Sequence, residues 1–418
     1  MNIVESQAHN KLPRMLPGFH ILIMLVFVCI PFGESLQAFF GGFTPAKVLV
    51  PILFIYLFSI QTTNLKLHPL SILYLSFIVL TLPSLVTGEG YAGIALSLIG
   101  YFFLLQILYP VGISFKKIKD LINAYLLGLT LVGFMTLQIF ITGFDPGTII
   151  GKPFIEFWFG VPIVSGTSNN QNGFATLFII GVPFAFAFLL NSKNRIEKFA
   201  YFLCFCIVSI TLLLTFSRSA IGGSIFACIV VHHHLNNSST FSLKLIIKLA
   251  TVLLTIVFFG SVFYLLIDFF VSDASSSETN FSSNKELSGG YRTMVLLPML
   301  SIVAENPLMG VGFGNVKPMM EAKTGLYINS HNTPFGIAMD YGLLALIFFI
   351  STIGFAVRDY CRGIRLLRNS NNRLIISALL SSLGAMCFHA LFHEIYIHIM
   401  LWTLVAMGPV VLRAAKFS

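Results

Sequence analysis

Three basic side chains in the sequence have a chemistry suited to reactions of a diphosphate. Arg218 lies in the segment TFSRSA, Arg292 in GGYRTM, and His331 in SHNTPF. A guanidinium group binds phosphate oxygens through paired hydrogen bonds that a point charge does not reproduce. A histidine has an unperturbed pKa of about 6.5, so its neutral form can accept a proton at neutral pH. Two phosphate-binding groups and one base are the minimum set for moving a group from a diphosphate carrier.

Each of these residues also has a purely structural interpretation, which residue type alone leaves open. Arg218 could cap the C-terminal end of a helix or extend to lipid headgroups. Arg292 could be an interfacial anchor of the same kind. His331 could make only a structural hydrogen bond near the start of a helix. The choice between the structural and the functional interpretation therefore depends on which secondary-structure elements carry the three side chains.

Histidine and glutamate also cluster in the segment HALFHEIYIH at 389–398. A zinc-binding protease helix needs His-Glu-x-x-His, because that spacing places two imidazoles one turn apart. Here Ile397 occupies the required position, and His398 comes one residue late. The spacing therefore indicates neither a metal site nor a cofactor. Glu394 remains a candidate for the acceptor side of a transfer reaction.

The composition indicates the environment in which these residues are held. The chain has 418 residues, of which 56% are hydrophobic and 10% are charged. Soluble domains carry about 25% charged residues, and one soluble core could not bury this much apolar surface. Lipid can accommodate it at roughly 20 apolar residues per helical span. The sequence therefore predicts an all-α polytopic membrane protein.

About twelve apolar runs are predicted to span the membrane. They are 18–33, 45–60, 69–86, 92–110, 121–142, 172–190, 199–216, 219–234, 244–270, 335–357, 374–392 and 395–412. Their loops alternate between two sides, and most of the 25 Lys and Arg residues fall on the side of the chain ends. Because cytoplasmic loops are enriched in Lys and Arg, both ends are predicted to be cytoplasmic. The net charge of +9 is thus a topology signal, and no nucleic acid partner is expected.

This organisation places all three basic residues on the outer side. It has a cytoplasmic N-terminus at 1–17, spans one to nine at 18–270, a large outer loop at 271–334, spans ten to twelve at 335–412, and a cytoplasmic tail at 413–418. Within the loop, 289–304 is predicted as a surface helix that Pro298 starts, kinks or ends. A Gly-rich loop alone is weak evidence for a phosphate site. GVGFG at 310–314 is therefore interpreted as a turn that returns the chain to the site.

Four segments in order carry a resemblance to a known family. They are SGTSNNQNGFA at 165–175, TFSRSAIGG at 215–223, GGYRTMVLLPMLSIVAENPLMGVGFG at 289–314, and SHNTPFGIAMDYGLLAL at 330–346. The most specific features are the helix with an arginine, the Pro-x-x-Gly-x-Gly-x-Gly loop, and His-Asn before a Gly-rich span. In these segments, which cover roughly 130–346, the chain resembles the O-antigen polymerase and ligase superfamily of bacterial envelopes.

The resemblance implies a GT-C-like membrane glycosyltransferase of the bacterial inner membrane, with its active site facing the periplasm. The implied donor is an oligosaccharide linked to undecaprenyl diphosphate, and the implied acceptor is another glycan lipid. Transfer is implied to be inverting and independent of metals and cofactors. Arg218 and Arg292 would bind the donor diphosphate, and His331 would activate the acceptor hydroxyl. Asn332 and Glu394 would lie on the acceptor side.

The acceptor side is where this sequence departs from the family pattern. Many members have an acidic residue soon after the His-Asn pair, whereas Thr333 and Pro334 follow it here and Asp340 comes later. The contacts to the acceptor are therefore the least defined part of the resemblance. Other expected partners are membrane lipids and, in the same export machinery, chain-length regulator or flippase proteins.

The favoured function is a polymerase that joins lipid-linked repeat units into a surface polysaccharide. Three alternatives remain open. A ligase would move finished glycan onto lipid A-core, and it shares the polymerase motifs. A secondary transporter would also fit twelve spans, but transporters bury ionisable residues or broken helices near the midplane. The acidic residues in these apolar runs are Asp268 and Asp340, both near span ends, and this scarcity of buried acids argues against a transporter. The third alternative is a non-catalytic scaffold in a polysaccharide export complex.

Overall fold

The computed structural model describes residues 17–32, 45–60, 68–86, 92–109, 114–143, 155–158, 161–167, 170–236, 289–325 and 327–418. Within these ranges the regular secondary structure is helical apart from one hairpin. The first helices are α1 (Pro17–Cys29), α2 (Pro45–Ile60), α3 (Pro69–Val86), α4 (Ala92–Leu108), α5 (Phe115–Thr142), α6 (Gln171–Asn191), α7 (Arg195–Leu214) and α8 (Arg218–Asn236). The later ones are α9 (Gly289–Glu305), α10 (Val316–Thr324), α11 (Thr333–Leu366), α12 (Ser370–Ala390) and α13 (Ile399–Lys416).

Six of the described helices are long and apolar enough to cross a membrane: α5, α6, α7, α11, α12 and α13. Each coincides with a predicted span. The shorter helices α1 to α4 and α8 also coincide with predicted apolar runs. The ninth run, 244–270, and most of the outer loop before α9 lie outside the described residues. The chain is an integral membrane protein, and the total of about twelve spans stays a prediction.

Asparagine side chains set the start of several helices. Asn170, Asn194, Asn332 and Asn369 each precede a helix, and each side chain accepts a hydrogen bond from a backbone N–H of the first turn. Asparagine is among the preferred N-cap residues because its side-chain oxygen satisfies an N–H that has no partner within the helix. These asparagines therefore fix where the four helices begin.

The outer segment before α6 contains a hairpin that the sequence did not indicate. Strand β1 (Ile155–Trp158) pairs antiparallel with strand β2 (Val161–Val164). After the hairpin, Thr167 donates a hydrogen bond to the carbonyl oxygen of Pro31 at 2.8 Å. The expectation of an all-α protein thus holds for the described spans, whereas this connecting segment is partly β-structure.

Helices α6, α8 and α12 pack against one another in a three-helix core. Small residues permit the close approach. A Cβ atom added at Gly223 of α8 would lie 3.0 Å from Ile179 of α6 and 3.1 Å from the carbonyl oxygen of Ala385 of α12. Ser219, Gly223 and Ala227 recur every four residues along α8, a spacing that brings membrane helices together. This core holds one end of α8 in place, and Arg218 is the first residue of that end.

A second core lies under the surface helices. Helix α9 contacts α10 and α11, and Met299, Ile302, Met320 and Met339 are buried between them. Pro298 lies inside α9 instead of at either end.

An ion pair joins α9 to α10 at the surface. The Lys323 ammonium donates to the Glu305 carboxylate at 2.6 Å and to the Ser301 hydroxyl at 3.1 Å. The hydrogen bonds from Lys323 and then Ser301 lower the pKa of Glu305 below its usual range. The carboxylate therefore stays charged at neutral pH and links the two surface helices.

Candidate active site

Backbone strain marks two places next to the predicted site residues. Among the residues that the structure describes, Phe216 and His331 are the two non-glycine residues with positive φ, at 52° and 47°. Phe216 lies in the turn between α7 and α8, two residues before Arg218. Such conformations cost of order 1–3 kcal/mol and persist only where surrounding contacts hold them, often at functional sites. The first strained turn lies just before Arg218, and the second contains His331 itself.

The turn that carries His331 is fixed by its two neighbours. The Asn332 side chain accepts from the Phe335 N–H at 2.9 Å and donates to the carbonyl oxygen of Leu391 at 2.8 Å. The Ser330 hydroxyl accepts from the Asn332 N–H at 3.3 Å. His331 itself is exposed at the start of α11. The backbone of the turn is thus anchored while the imidazole faces outwards.

Glu394 lies against the same turn. Its carboxylate accepts a hydrogen bond from the Ser330 hydroxyl. Gly336, one turn into α11, leaves space for the contact, because an added Cβ would lie 3.1 Å from the Ser330 oxygen and 3.4 Å from Glu394 Oε1. The structure therefore brings the two predicted acceptor-side residues, Asn332 and Glu394, to the His331 turn.

The connection between α12 and α13 holds this arrangement together. Thr333 donates to the carbonyl oxygen of His393 at 2.6 Å and accepts from the Ile395 N–H at 2.8 Å. The buried Tyr396 hydroxyl donates to the buried Asp340 carboxylate at 3.0 Å. Thr333 thus uses its hydroxyl to hold the connecting segment. These contacts were not found from the sequence, because hydroxyl residues in apolar runs give no recognisable pattern.

Arg218 is the first residue of α8, and this helix end lies near the His331 turn. It is exposed, and the hydroxyl of the next residue, Ser219, lies 2.8 Å from Nδ1 of His389. The ring of His389 lies 4.6 Å from the ring of His393, centroid to centroid. Since His393 also contacts Thr333, the Arg218 end of α8 and the His331 turn are linked through one segment at the same face of the helical bundle.

Helix dipoles contribute to the electrostatics of this face. The N-termini of α6, α8 and α11 all lie there, as their contacts with the end of α12 show. Each helix N-terminus carries about half a positive elementary charge, which favours anions. The face therefore combines three helix N-termini with the exposed Arg218, an arrangement suited to a diphosphate.

Arg292 lies in the first turn of α9, which packs against α11. Its side chain lies outside the described part of the structure. The convergence of all three basic side chains on one substrate therefore stays a prediction.

The Gly-rich loop before α10 fills a break in α11. Gly342 interrupts the helix with φ 85° and ψ 170°. The Val311 and Gly312 N–H groups donate to the carbonyl oxygens of Met339 and Asp340, at 2.7 and 3.1 Å. On the other side of the break, the Leu343 N–H donates to Pro307. The interpretation of GVGFG as a turn that returns to the site agrees with this geometry.

The broken helix corrects one step of the sequence reasoning. The scarcity of charged residues in the apolar runs favoured an enzyme over a transporter, but α11 contains an interruption that the sequence did not indicate, beside the buried Asp340. In transporters, free carbonyls at such breaks bind ions. Here the carbonyls of Met339 and Asp340 accept hydrogen bonds from the Gly-rich loop. The break is thus occupied by the protein's own backbone.

The described part of the chain offers no metal centre, since no group of three or more His, Cys, Asp or Glu side chains in it could hold an ion.

Comparison with known families supports the resemblance seen in the sequence. Residues 201–350 match the family model described as O-antigen ligase. The match contains Arg218, Arg292 and His331, whereas His389 and Glu394 lie beyond it. No curated protein matches the chain.

Proposed function

We propose that the chain is a glycosyltransferase that polymerises lipid-linked repeat units of O-antigen or a related surface polysaccharide, because residues 201–350 match the family model described as O-antigen ligase. The family's members are glycosyl-transferring enzymes. The observation that carries the proposal is the match itself, since it spans all three basic residues. The proposed location is the inner membrane, with the active site facing the periplasm.

In this proposal the donor is an oligosaccharide on undecaprenyl diphosphate. Arg218 and Arg292 bind the diphosphate, and the helix N-termini at the same face add positive potential. The diphosphate leaves as the bond between its oxygen and the anomeric carbon breaks. Guanidinium groups stabilise the negative charge that develops on it, which is the role a metal ion plays in other transferases. No metal or cofactor is required.

His331 acts on the acceptor in the same step. Its neutral imidazole takes the proton of the acceptor hydroxyl as that oxygen attacks the anomeric carbon from the opposite face. The configuration at the anomeric carbon is therefore inverted. The exposure of His331 supports this role, because the ring lies where a sugar hydroxyl can reach it.

Glu394 and Asn332 form the proposed acceptor side. One oxygen of Glu394 accepts from Ser330, which orients the carboxylate and leaves its second oxygen for a sugar hydroxyl. The amide oxygen of Asn332 accepts from Phe335 and its amide nitrogen donates to Leu391, so Asn332 contributes by holding the turn. Thr333 takes the place of the acid common in the family, and Glu394 supplies a carboxylate from a different segment.

A ligase that transfers finished glycan to lipid A-core is the second candidate, favoured by the description of the matching family model. Both reactions use the same donor chemistry and differ in the acceptor. A transporter is the third candidate, favoured by the break in α11 beside Asp340. Uptake of sugar into proteoliposomes without any glycan transfer would support it.

A deletion strain distinguishes these functions through its lipopolysaccharide banding pattern. The proposal predicts lipopolysaccharide that carries a single repeat unit, with full-length bands restored by the wild-type gene. Bare core without any repeat unit would indicate a ligase instead. An unchanged banding pattern would contradict both transferase functions.

A further inference from the structure

His389 is a buried polar residue that the proposed reaction does not use. Its side chain is 0% exposed, and it lies at the end of α12 where α6, α8 and α12 pack together. Burying a polar ring is costly unless its nitrogens are hydrogen-bonded. Both ring nitrogens have partners, Ser219 of α8 at 2.8 Å and Thr176 of α6 at 3.2 Å.

The direction of these hydrogen bonds follows from the partners. The Thr176 hydroxyl donates its only proton to the carbonyl oxygen of Asn172 at 2.7 Å. Its oxygen is therefore positioned to accept from Nε2–H of His389. In the neutral ring Nδ1 then carries no proton and accepts from the Ser219 hydroxyl. The two partners thus favour one tautomer of the neutral imidazole, with one donor and one acceptor role.

These two bonds fix the helix end that carries Arg218. Ser219 lies in the first turn of α8, directly after Arg218. One turn further along, Gly223 brings α8 close to α12 and α6. A lost Ser219–His389 bond would therefore release the first turn of α8 while the packing below it persists.

The same histidine also contacts the segment that holds the His331 turn. Its ring lies 4.6 Å from the ring of His393, whose carbonyl oxygen accepts from Thr333 at the start of α11. His389 is thus the residue shared by the Arg218 end of α8 and the His331 turn.

We propose that His389 is a positioning residue that fixes the spacing between Arg218 and the His331 turn. This inference rests on the proposed transferase function. His389 takes no part in proton transfer, because its ring is enclosed by protein and its tautomer is set by two permanent partners. Its replacement should act on the donor site through Arg218, without changing the reaction.

The substitution His389→Gln separates positioning from acid–base chemistry. A glutamine can accept from Ser219 with its amide oxygen and donate to Thr176 with its amide nitrogen. Leucine at the same position can do neither. The matched control is Tyr360→Phe, which also removes one buried interhelical hydrogen bond, to Leu404, at a distant part of α11.

The experiment measures kcat, KM for the undecaprenyl-diphosphate-linked repeat unit, and binding of undecaprenyl diphosphate to the purified variants. We expect His389→Leu to raise KM and lower donor binding by roughly 10- to 100-fold, as expected for a misplaced binding group. His389→Gln should stay within about threefold of wild type with an unchanged pH profile, and so should Tyr360→Phe. The variant Ser219→Ala guards against a folding defect in His389→Leu. It removes the hydrogen bond between Ser219 and His389 from the other side and should give the same loss of donor binding.

Two results would overturn the inference. One is a His389→Gln variant as inactive as Ser219→Ala, since only a titrating ring would then explain the loss. The other is wild-type KM and donor binding in folded His389→Leu or Ser219→Ala. A wild-type protein that neither binds undecaprenyl diphosphate nor transfers glycan would instead contradict the proposed function itself.

Discussion

The backbone at His331 is strained, and the residues next to His331 make contacts that support it. Ser330, Asn332 and Thr333 each bond to the segment 391–395, whereas the imidazole is exposed. Side chains other than the one proposed to react therefore contribute to holding the turn. This separation means that a substitution at His331 should change chemistry more than folding.

His331→Ala should abolish glycan transfer while the protein still inserts and accumulates normally. A positioned general base contributes about 10²- to 10⁴-fold to the rate, so activity should fall by at least about 10²-fold. The check is a transfer assay with purified variant, with thermal unfolding as the folding control. Wild-type activity in this variant would remove the base from the mechanism.

Arg292→Lys should be nearly as damaging as Arg292→Ala if the guanidinium binds the diphosphate through paired hydrogen bonds. Lysine keeps the positive charge but cannot provide the planar fork. The measurement is KM for the lipid-linked donor in both variants. Full activity with lysine would show that charge alone suffices and would refute paired binding.

At the scale of elements, the apolar helices were predictable from the sequence, whereas a short hairpin and a break within a helix were not. Predicted spans such as 45–60 and 69–86 match α2 and α3 residue for residue, because polar caps and prolines bound their apolar runs. The hairpin at 155–164 was missed, since its strands are four residues each. The break in α11 was missed because MDYGLLAL continues the apolar run, and a single glycine does not identify a break.

The site was predictable in part for a related reason. Arg218, Arg292 and His331 lie in motifs with recognisable spacing. His389 lies in an apolar run, and its partners Ser219 and Thr176 are 170 and 213 residues away in the chain. Contacts at such separations follow from helix packing, which one sequence does not reveal. Glu394 was identified as a candidate, but its contact with Ser330 was not.

Gly342→Ala should destabilise the protein and reduce its activity, because it disturbs the Gly-rich loop in the α11 break. The φ of 85° is unfavourable for alanine, and the added Cβ would collide with the carbonyl of Leu308. We expect a loss on the order of 2 kcal/mol in the free energy of unfolding. Thermal unfolding in detergent measures it.

The matched control for this prediction is Gly354→Ala. Gly354 lies in the same helix, and a Cβ added there would meet nothing within 4 Å. That substitution should be neutral or stabilising by up to about 1 kcal/mol. Equal effects at the two positions would mean that the break at Gly342 does not support the loop.

At the scale of the whole molecule, the packing and the charge distribution agree on one polarity. The contacts place the starts of α8 and α11 and the end of α12 at one face. Arg362, Arg365, Arg368 and Arg373 lie at the opposite end of these helices, in and beside the connection between α11 and α12. This agrees with a site on the outer side and basic loops in the cytoplasm.

Cysteine labelling tests that polarity in cells. Glu321 in α10 and Arg362 near the end of α11 are both exposed. A membrane-impermeant maleimide added to cells with a permeabilised outer membrane should label Glu321→Cys and leave Arg362→Cys unlabelled until the inner membrane is opened. The reverse pattern would place the site in the cytoplasm and contradict the proposed location.

The proposed function depends most on the transfer of glycan from a diphosphate carrier at the face of the bundle that carries His331. Its most direct test is a reconstituted reaction of the purified protein with undecaprenyl-diphosphate-linked repeat units, in the presence of a chelator. The account predicts longer lipid-linked glycans with wild-type protein, no loss with chelator, and no product with His331→Ala. An absence of longer glycans with wild-type protein, or transfer that stops with chelator and returns with a divalent ion, would contradict it.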